Sequence, residues 1–202
     1  RKVDLPALPR GKRTVLVNGV AEGLPAILPA EHEAGEAAVN RLLAAGHRRI
    51  AFIGRSEKVM DPYLSATIPQ RYAGIDAAMG AAGLGFAAQI EGHEWEPELG
   101  YRGTLRMLDD AASFTAILAA NDRVAFGAYQ ALQERGLRVP RDVAVMSFDD
   151  EQLATYLHPP LTTMRLPYRE MGALGARMLL AEEDPAPTTL VPMPLVERES
   201  VD

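Results

Sequence analysis

Short β-branched or apolar runs alternate with longer amphipathic runs along almost the whole chain. Val15–Val17 predicts a first strand. From Glu31 to Ala45, the apolar positions Ala34, Ala37, Ala38, Leu42 and Ala45 recur at helical spacing, and Gly46 supplies a stop. Ile50–Ile53 predicts the next strand. The alternation continues with a helix around Arg71–Ala82, a short strand near Ala88–Ile90, a helix over Pro97–Leu108 and a strand at Thr115–Ala119. Asp122–Arg135, closed by Gly136, is the clearest helix. Val143–Phe148 is a continuous apolar run of the kind buried on both faces of a parallel sheet. A helix over Tyr168–Leu180 follows, then a proline-broken extended tail. Repeated β-then-α units of this length predict an α/β fold, a parallel sheet with helices on both sides.

Two segments break the rhythm. His158–Pro167 is bounded by prolines that disfavour helix and force an extended path, which suits a crossover between lobes. The start, Arg1–Arg13, carries Pro6 and Pro9 and no clear element, so the first strand enters what looks like a domain already under way.

Composition narrows the function classes. The 202 residues are 48% hydrophobic and 24% charged, enough apolar material for one domain or two small lobes. No run approaches the roughly 20 apolar residues of a membrane span, and the first residues lack the pattern of a secretory signal, so no membrane association is expected. The absence of cysteine removes thiolate chemistry and cysteine metal sites. A formal net charge of -6, with no stripe of Lys and Arg, repels phosphate backbones on average. Any work on DNA must fall to another segment.

Four segments resemble the effector-binding region of the lactose-repressor family of bacterial transcriptional regulators. They are Gly46–Gly54 (GHRRIAFIG), Arg71–Gly74 (RYAG), Ala119–Ala128 (AANDRVAFGA) and Val139–Asp150 (VPRDVAVMSFDD), the last followed by Pro159–Thr163 (PPLTT). Their order and spacing agree with the family over nearly the whole chain. The resemblance implies a fold like the type I periplasmic sugar-binding proteins: two Rossmann-like lobes with parallel sheets, several crossover strands, and a ligand cleft between them. It implies an incomplete N-terminal lobe here, residues 1–47 plus 166–186, and a C-terminal lobe of residues 48–165 plus 187–202. It further implies a cytoplasmic homodimer that binds a sugar-like effector, with operator DNA held by a helix-turn-helix headpiece absent from this sequence. The rival reading on the same fold is a periplasmic sugar-binding protein of a transporter. A lyase or dehydrogenase on a Rossmann-like sheet is a distant third.

Several residues carry the candidate chemistry. Asn121 and Asp149 both stand at carboxyl ends of apolar strands, where ligands of open α/β sheets bind. An amide donates and accepts at once, as a sugar hydroxyl does, but Asn121 equally suits the N-cap of the helix behind it. Asp149 can accept two hydroxyl hydrogen bonds, while Asp150 beside it is an equal candidate from position alone; the family's ligand aspartate is the first of the pair. Arg71, near a helix start where the dipole disfavours a cation, hints at a facing acceptor, though a solvated arginine has the same pattern. Trp95, the single tryptophan, can stack on a sugar ring or simply pack in the core. Asn18 and Tyr168 are expected to face the cleft from the N-terminal lobe, and Arg123 to point inward.

Phe126 and Tyr129 share a helix face and, with Tyr156 and Leu157, suggest a dimer surface; burial beneath the helix is the alternative for Phe126 and Tyr129. Gly-x-Ser-x-Gly and Gly-x-x-x-x-Gly-Lys patterns are missing, so no enzyme is expected. His32, His47, His93 and His158 lack ligand spacing, so neither a metal nor a cofactor is expected, and His47 reads as structural.

Overall fold

A computed structural model of the protein describes residue 2, residues 13–181 and residues 186–202. The irregular start expected over Arg1–Arg13 therefore lies outside the described residues, apart from Lys2 and Arg13. The first half holds β1 (Leu16–Val17), β2 (Ala26–Pro29), α1 (Glu31–Ala44), β3 (Ile50–Arg55), a 3-10 turn (Glu57–Met60), α2 (Ile68–Ala81), β4 (Ala88–Glu91) and α3 (Pro97–Asp109). The second holds β5 (Ala116–Ala119), α4 (Asp122–Glu134), β6 (Ala144–Asp149), α5 (Leu153–Tyr156), β7 (Thr162–Arg165), α6 (Tyr168–Leu180), β8 (Thr188–Val191) and β9 (Leu195–Val196).

The strands form two sheets. A six-stranded sheet runs β4-β3-β5-β6-β7-β9, parallel except for β9, which pairs antiparallel with β7. Alternate side chains of its central strands feed two cores. Phe52, Leu118, Met146 and Phe148 pack with Leu42 of α1 and Ile75 of α2 on one face. Ile53, Ile117 and Val145 pack with Met107 of α3 and with Val124 and Leu132 of α4 on the other. Cover on both faces explains why β5 and β6 read as unbroken apolar runs. The smaller sheet, β1-β2-β8, is all parallel and carries α6, whose Gly175 sits against Val17 and Ile27.

Sheet membership departs from the expected lobe boundaries in two places. α1, expected with the first lobe, packs with α2 on the six-stranded sheet, because Ala34, Ala38 and Leu42 need a larger apolar face than three short strands offer. β8, expected with the second lobe, pairs with β2 in the small sheet. Four strands depart from the expected elements: β8 and β9 lie in the tail expected only to be extended, and two others lie earlier in the chain. β2 is hidden between Pro25 and Pro29, and β7, inside the segment expected to be a simple crossover, is an inner strand between β6 and β9. The helix expected to begin at Arg71 starts at Ile68, with a proline in its first turn. No helix among the described residues is long and apolar enough to cross a membrane.

α3 and α4 cross almost backbone to backbone. A Cβ on Gly127 would stand 1.8 Å from the Pro97 carbonyl oxygen, and one on Gly100 1.9 Å from that of Val124. Neither contact can be relieved by a side-chain rotation, so the helices themselves would have to part. Gly127→Ala is expected to cost about 1–3 kcal/mol or more, as overpacking does. Urea unfolding should show a lower midpoint at unchanged slope.

Candidate functional site

A cleft of about 480 Å³ lies between the two sheets, at the carboxyl ends of β1 and β6 and the N-termini of α1 and α2. From the small-sheet side it is lined by Leu16, Val17, Asn18 and Gly19; from the other, by Glu31, Leu64, Ser65, Thr67, Ile68, Arg71, Trp95, Asp149 and Leu166. Strand ends and helix starts converge here, which is where ligands of open α/β sheets bind.

Arg71 organises this wall. Its side chain is 2% exposed and reaches from the first turn of α2 to Glu31, the first residue of α1. Nε donates to Glu31 Oε2 at 2.6 Å, Nη2 to Oε1 at 2.9 Å, and Nη1 to the Ala120 carbonyl at 2.8 Å. The guanidinium also lies 4.1 Å from the Phe148 ring centre and 5.8 Å from that of Trp95. Burial opposes its charge, but the Glu31 carboxylate outweighs that and holds its pKa above the ordinary value. No local spacing marks Glu31, because its partner is 40 residues away on another helix.

Asp149 ends β6 with its carboxylate 3.8 Å from Arg71 Nη2. It has φ 106°, strained for a non-glycine residue. Asp150, also left-handed at φ 56°, is held in an ion pair with Arg198 at 2.6 Å. Of the two adjacent aspartates, only Asp149 lines the cleft. Burial, opposed by Arg71 and reinforced by Glu31, pushes the Asp149 carboxyl up to about 6.

Trp95 is anchored by its indole N–H, which donates to the Gly54 carbonyl at 2.8 Å and reaches that of Gly92 at 3.1 Å. Gly54 has φ 104° at a bulge in β3, and a Cβ there would be 2.5 Å from Ala120 Cβ. Only glycine turns this carbonyl toward the indole. Trp95 thus packs against both cores and shows its remaining surface to the cleft.

The remaining expected site residues divide. Asn18, at φ 56°, lines the cleft from β1. Asn121 is the N-cap of α4: Oδ1 accepts from Val124 N at 2.9 Å and Nδ2 donates to the Trp95 carbonyl at 3.2 Å. It does not line the cleft, and steadies the Trp95 loop instead. Tyr168 stands exposed at the start of α6, close enough to Asp149, Glu31 and Arg71 for their charges to act on its hydroxyl, whose pKa burial raises. Arg123 does not point inward; it bridges Glu96 at 3.1 Å and Glu151 at 3.3 Å outside the cleft. Its position one turn-residue into α4 aims it at the acidic loops flanking that helix.

Behind the site, Asp122 is fully buried and ties three elements together. It accepts from Ser147 Oγ at 2.5 Å, Thr163 Oγ1 at 2.8 Å and Glu151 N at 2.6 Å. Burial carries its carboxyl up to about 6 against those three donors. His47 is structural, with Nδ1 3.0 Å from Thr115 Oγ1 and its pKa lowered by burial and by Arg41.

The proposed dimer side chains also separate. Tyr129 and Leu157 belong to the second core, and the Tyr129 hydroxyl donates to the Pro159 carbonyl at 3.0 Å. Helix spacing could not show that the double-proline loop folds over Tyr129. Phe126 is partly buried, Tyr156 is 64% exposed, and both border a surface groove between α4 and α5.

Residues 39–201 match the family model described as a periplasmic binding protein-like domain. The backbone superposes on a dimeric Lac repressor with a TM-score of 0.79, at 30% identity, covering 93% of this chain and 68% of that one. The chain belongs to the lactose-repressor family of periplasmic-binding-protein-like domains. A LacI-family regulator from Enterococcus faecium with bound ribose is similar at a TM-score of 0.77 and 26% identity, over 93% of this chain and 69% of that one. The ribose operon repressor of Haemophilus influenzae is 35% identical over 72% of this chain and 42% of its own length. The domain thus spans less than half of that curated relative.

Asp149 also sets a pH dependence. Its carboxyl titrates higher in the folded domain than in the unfolded chain, so the folded state holds the extra proton between about pH 4 and pH 6. The contribution of this group to stability therefore falls as pH rises through that window and levels off above it. Carboxyl NMR titration should give Asp149 a midpoint near 6; a midpoint at the ordinary aspartate value would contradict its burial.

Proposed function

We propose that this domain is the effector sensor of a bacterial DNA-binding transcriptional regulator, acting in the cytoplasm by binding and not by catalysis, and that the effector is a sugar or related polyol. The observation that carries the reading is the convergence of Arg71, Asp149 and Trp95 in one cleft between two sheets. A carboxylate accepts a pair of hydroxyls, a guanidinium donates to a ring or hydroxyl oxygen, and an indole packs on the C–H face of a pyranose or furanose. A cleft of this volume falls in the range of small-molecule sites, about 300–1,000 Å³. The names of the relatives point the same way, since one is a ribose operon repressor and another structure holds ribose.

In this reading Asn18 faces the ligand from the small-sheet side, the described part of the N-terminal lobe, and Tyr168 stands beside the cleft without lining it. Asn121 acts through the Trp95 loop. Operator DNA is bound by a helix-turn-helix segment outside this sequence, and the effector shifts operator affinity only by the difference in its own affinity for the two states. The domain is expected to work as a homodimer, as the similar Lac repressor does, with Phe126 and Tyr156 on the contact face.

Asp149→Ala is expected to abolish sugar binding measured by calorimetry, with the far-UV spectrum unchanged. Loss of a hydrogen bond to a buried partner costs about 1–3 kcal/mol, and Asp149 is placed to make two. Saturating sugar should also shift the emission of Trp95, the only tryptophan. Unchanged affinity in Asp149→Ala would remove the cleft from the assignment.

Tyr156→Arg is expected to weaken self-association, because it replaces an exposed aromatic side chain at the groove between α4 and α5 with a charged one. Sedimentation equilibrium should show the dimer dissociating at a higher concentration than the parent domain. Equal dissociation constants would place the contact elsewhere.

A further inference from the structure

Arg71 is the only cation lining the cleft among the described residues, and the cleft also carries two carboxylates, Glu31 and Asp149. A guanidinium offers five N–H donors, and its bidentate edges are what make arginine a receptor for carboxylates and phosphates. Here the edge formed by Nε and Nη2 is already occupied by both oxygens of Glu31, and Nη1 is engaged by the Ala120 carbonyl. Both partners of that ion pair are almost wholly buried, at 2% and 3% exposure, so an incoming ligand cannot displace Glu31 without stranding a buried carboxylate. Of the five N–H donors two remain, one on Nη1 and one on Nη2, and the Nη2 side has the Asp149 carboxylate 3.8 Å away.

An anionic ligand would therefore meet one positive charge already outweighed by two carboxylates. It would meet the Asp149 carboxylate directly, with Glu31 behind it, in a partly dehydrated space where like charges interact strongly. Hydroxyl groups face the opposite balance, since Asp149 accepts from them and Asn18, Ser65 and Thr67 both donate and accept. Leu16, Val17, Ile68 and Leu166 supply the apolar surface for C–H groups.

We infer that Glu31 is a specificity-determining residue that occupies the carboxylate-binding edge of Arg71 and reserves the cleft for uncharged polyhydroxy ligands, excluding sugar acids and sugar phosphates. This rests on the proposal that the cleft binds a sugar-like effector, and goes beyond it by assigning the ligand's charge class.

The test pairs neutral sugars with their own acids: D-glucose with D-glucuronate, D-galactose with D-galacturonate, and D-ribose with D-ribose 5-phosphate. Binding to the domain is followed at pH 7.5 by Trp95 emission and by calorimetry. In the unmodified domain the neutral member of any pair that binds should be preferred by on the order of a hundredfold or more. In Glu31→Gln, which keeps one acceptor but frees the charge of Arg71, that preference should narrow by about tenfold or more, with the acid gaining affinity. Should Glu31→Gln not fold, Glu31→Asp carries the same arm: one methylene shorter, it loosens the bidentate hold on Arg71 and should also narrow the preference through a gain in the acid's affinity. An acid that binds the unmodified domain as tightly as its neutral partner overturns the assignment. So does a preference that stays the same in the variants. If no member of either series binds, the sugar-sensor reading itself fails and the assignment falls with it, an outcome distinct from binding without discrimination.

Discussion

A guanidinium taken out of water has to be met on every side, and much of this domain's architecture does that for Arg71. Glu31 brings α1 to it, Ala120 brings the end of β5, Phe148 the end of β6, and Trp95 the loop between β4 and α3. Four separately folded pieces of chain are thereby fixed relative to one cation. A buried ion pair of this kind adds little net stability over an apolar replacement, because desolvation offsets the attraction. Its effect is geometric: removing either partner leaves an uncompensated buried charge, so arrangements in which α1 and α2 slide apart are disfavoured. The rigidity of one cleft wall follows from that constraint.

Asp122 repeats the logic one layer deeper. Its carboxylate gathers hydroxyls from β6 and β7 and the amide of Glu151, locking the loop that presents Asp149. That loop carries two consecutive residues at positive φ, Asp149 and Asp150, with Asp150 tied to Arg198. Strained backbone persists only where its surroundings over-determine it. Here a buried acid on one side and an ion pair on the other hold the strain in place, and its product is a carboxylate turned into the cleft.

The sequence made the large sheet legible for a simple reason. β5 and β6 are covered on both faces, so they read as unbroken apolar runs, and α4 shows a cap, an apolar stripe and a closing glycine within one stretch. The small sheet was harder, since β2 is four residues bounded by prolines and β8 alternates too weakly to stand out from a tail. Asp149 and Asn18 line the cleft as strand-end positions suggest, whereas Asn121, at another strand end, is taken up as a helix cap. Arg123 was misplaced because its acidic partners, Glu96 and Glu151, come from loops whose approach to α4 is a tertiary matter. Tyr129 and Leu157 looked like surface for the same reason. Glu31 was invisible because a first-turn glutamate is ordinary helix chemistry, and only the fold brings Arg71 to it.

The two sheets are joined, among the described residues, by three short passages. β2 runs into α1 through Pro29 and Ala30, β7 into α6 through Leu166 and Pro167, and β8 into β9 through Pro192, Met193 and Pro194. Each contains a proline, whose fixed φ limits how the passage can bend. The first passage delivers Glu31 and the second delivers Leu166, and both side chains line the cleft. Ala30 of the first also donates its N–H to the carbonyl of Val191, the last residue of β8 before the third, at 2.9 Å. Two of the residues that line the cleft, Glu31 and Leu166, thus stand in or beside the passages that set how one sheet sits on the other. A ligand that fits the two walls better in one relative position than in another acts on these passages directly, and the size of its effect is bounded by that difference in affinity.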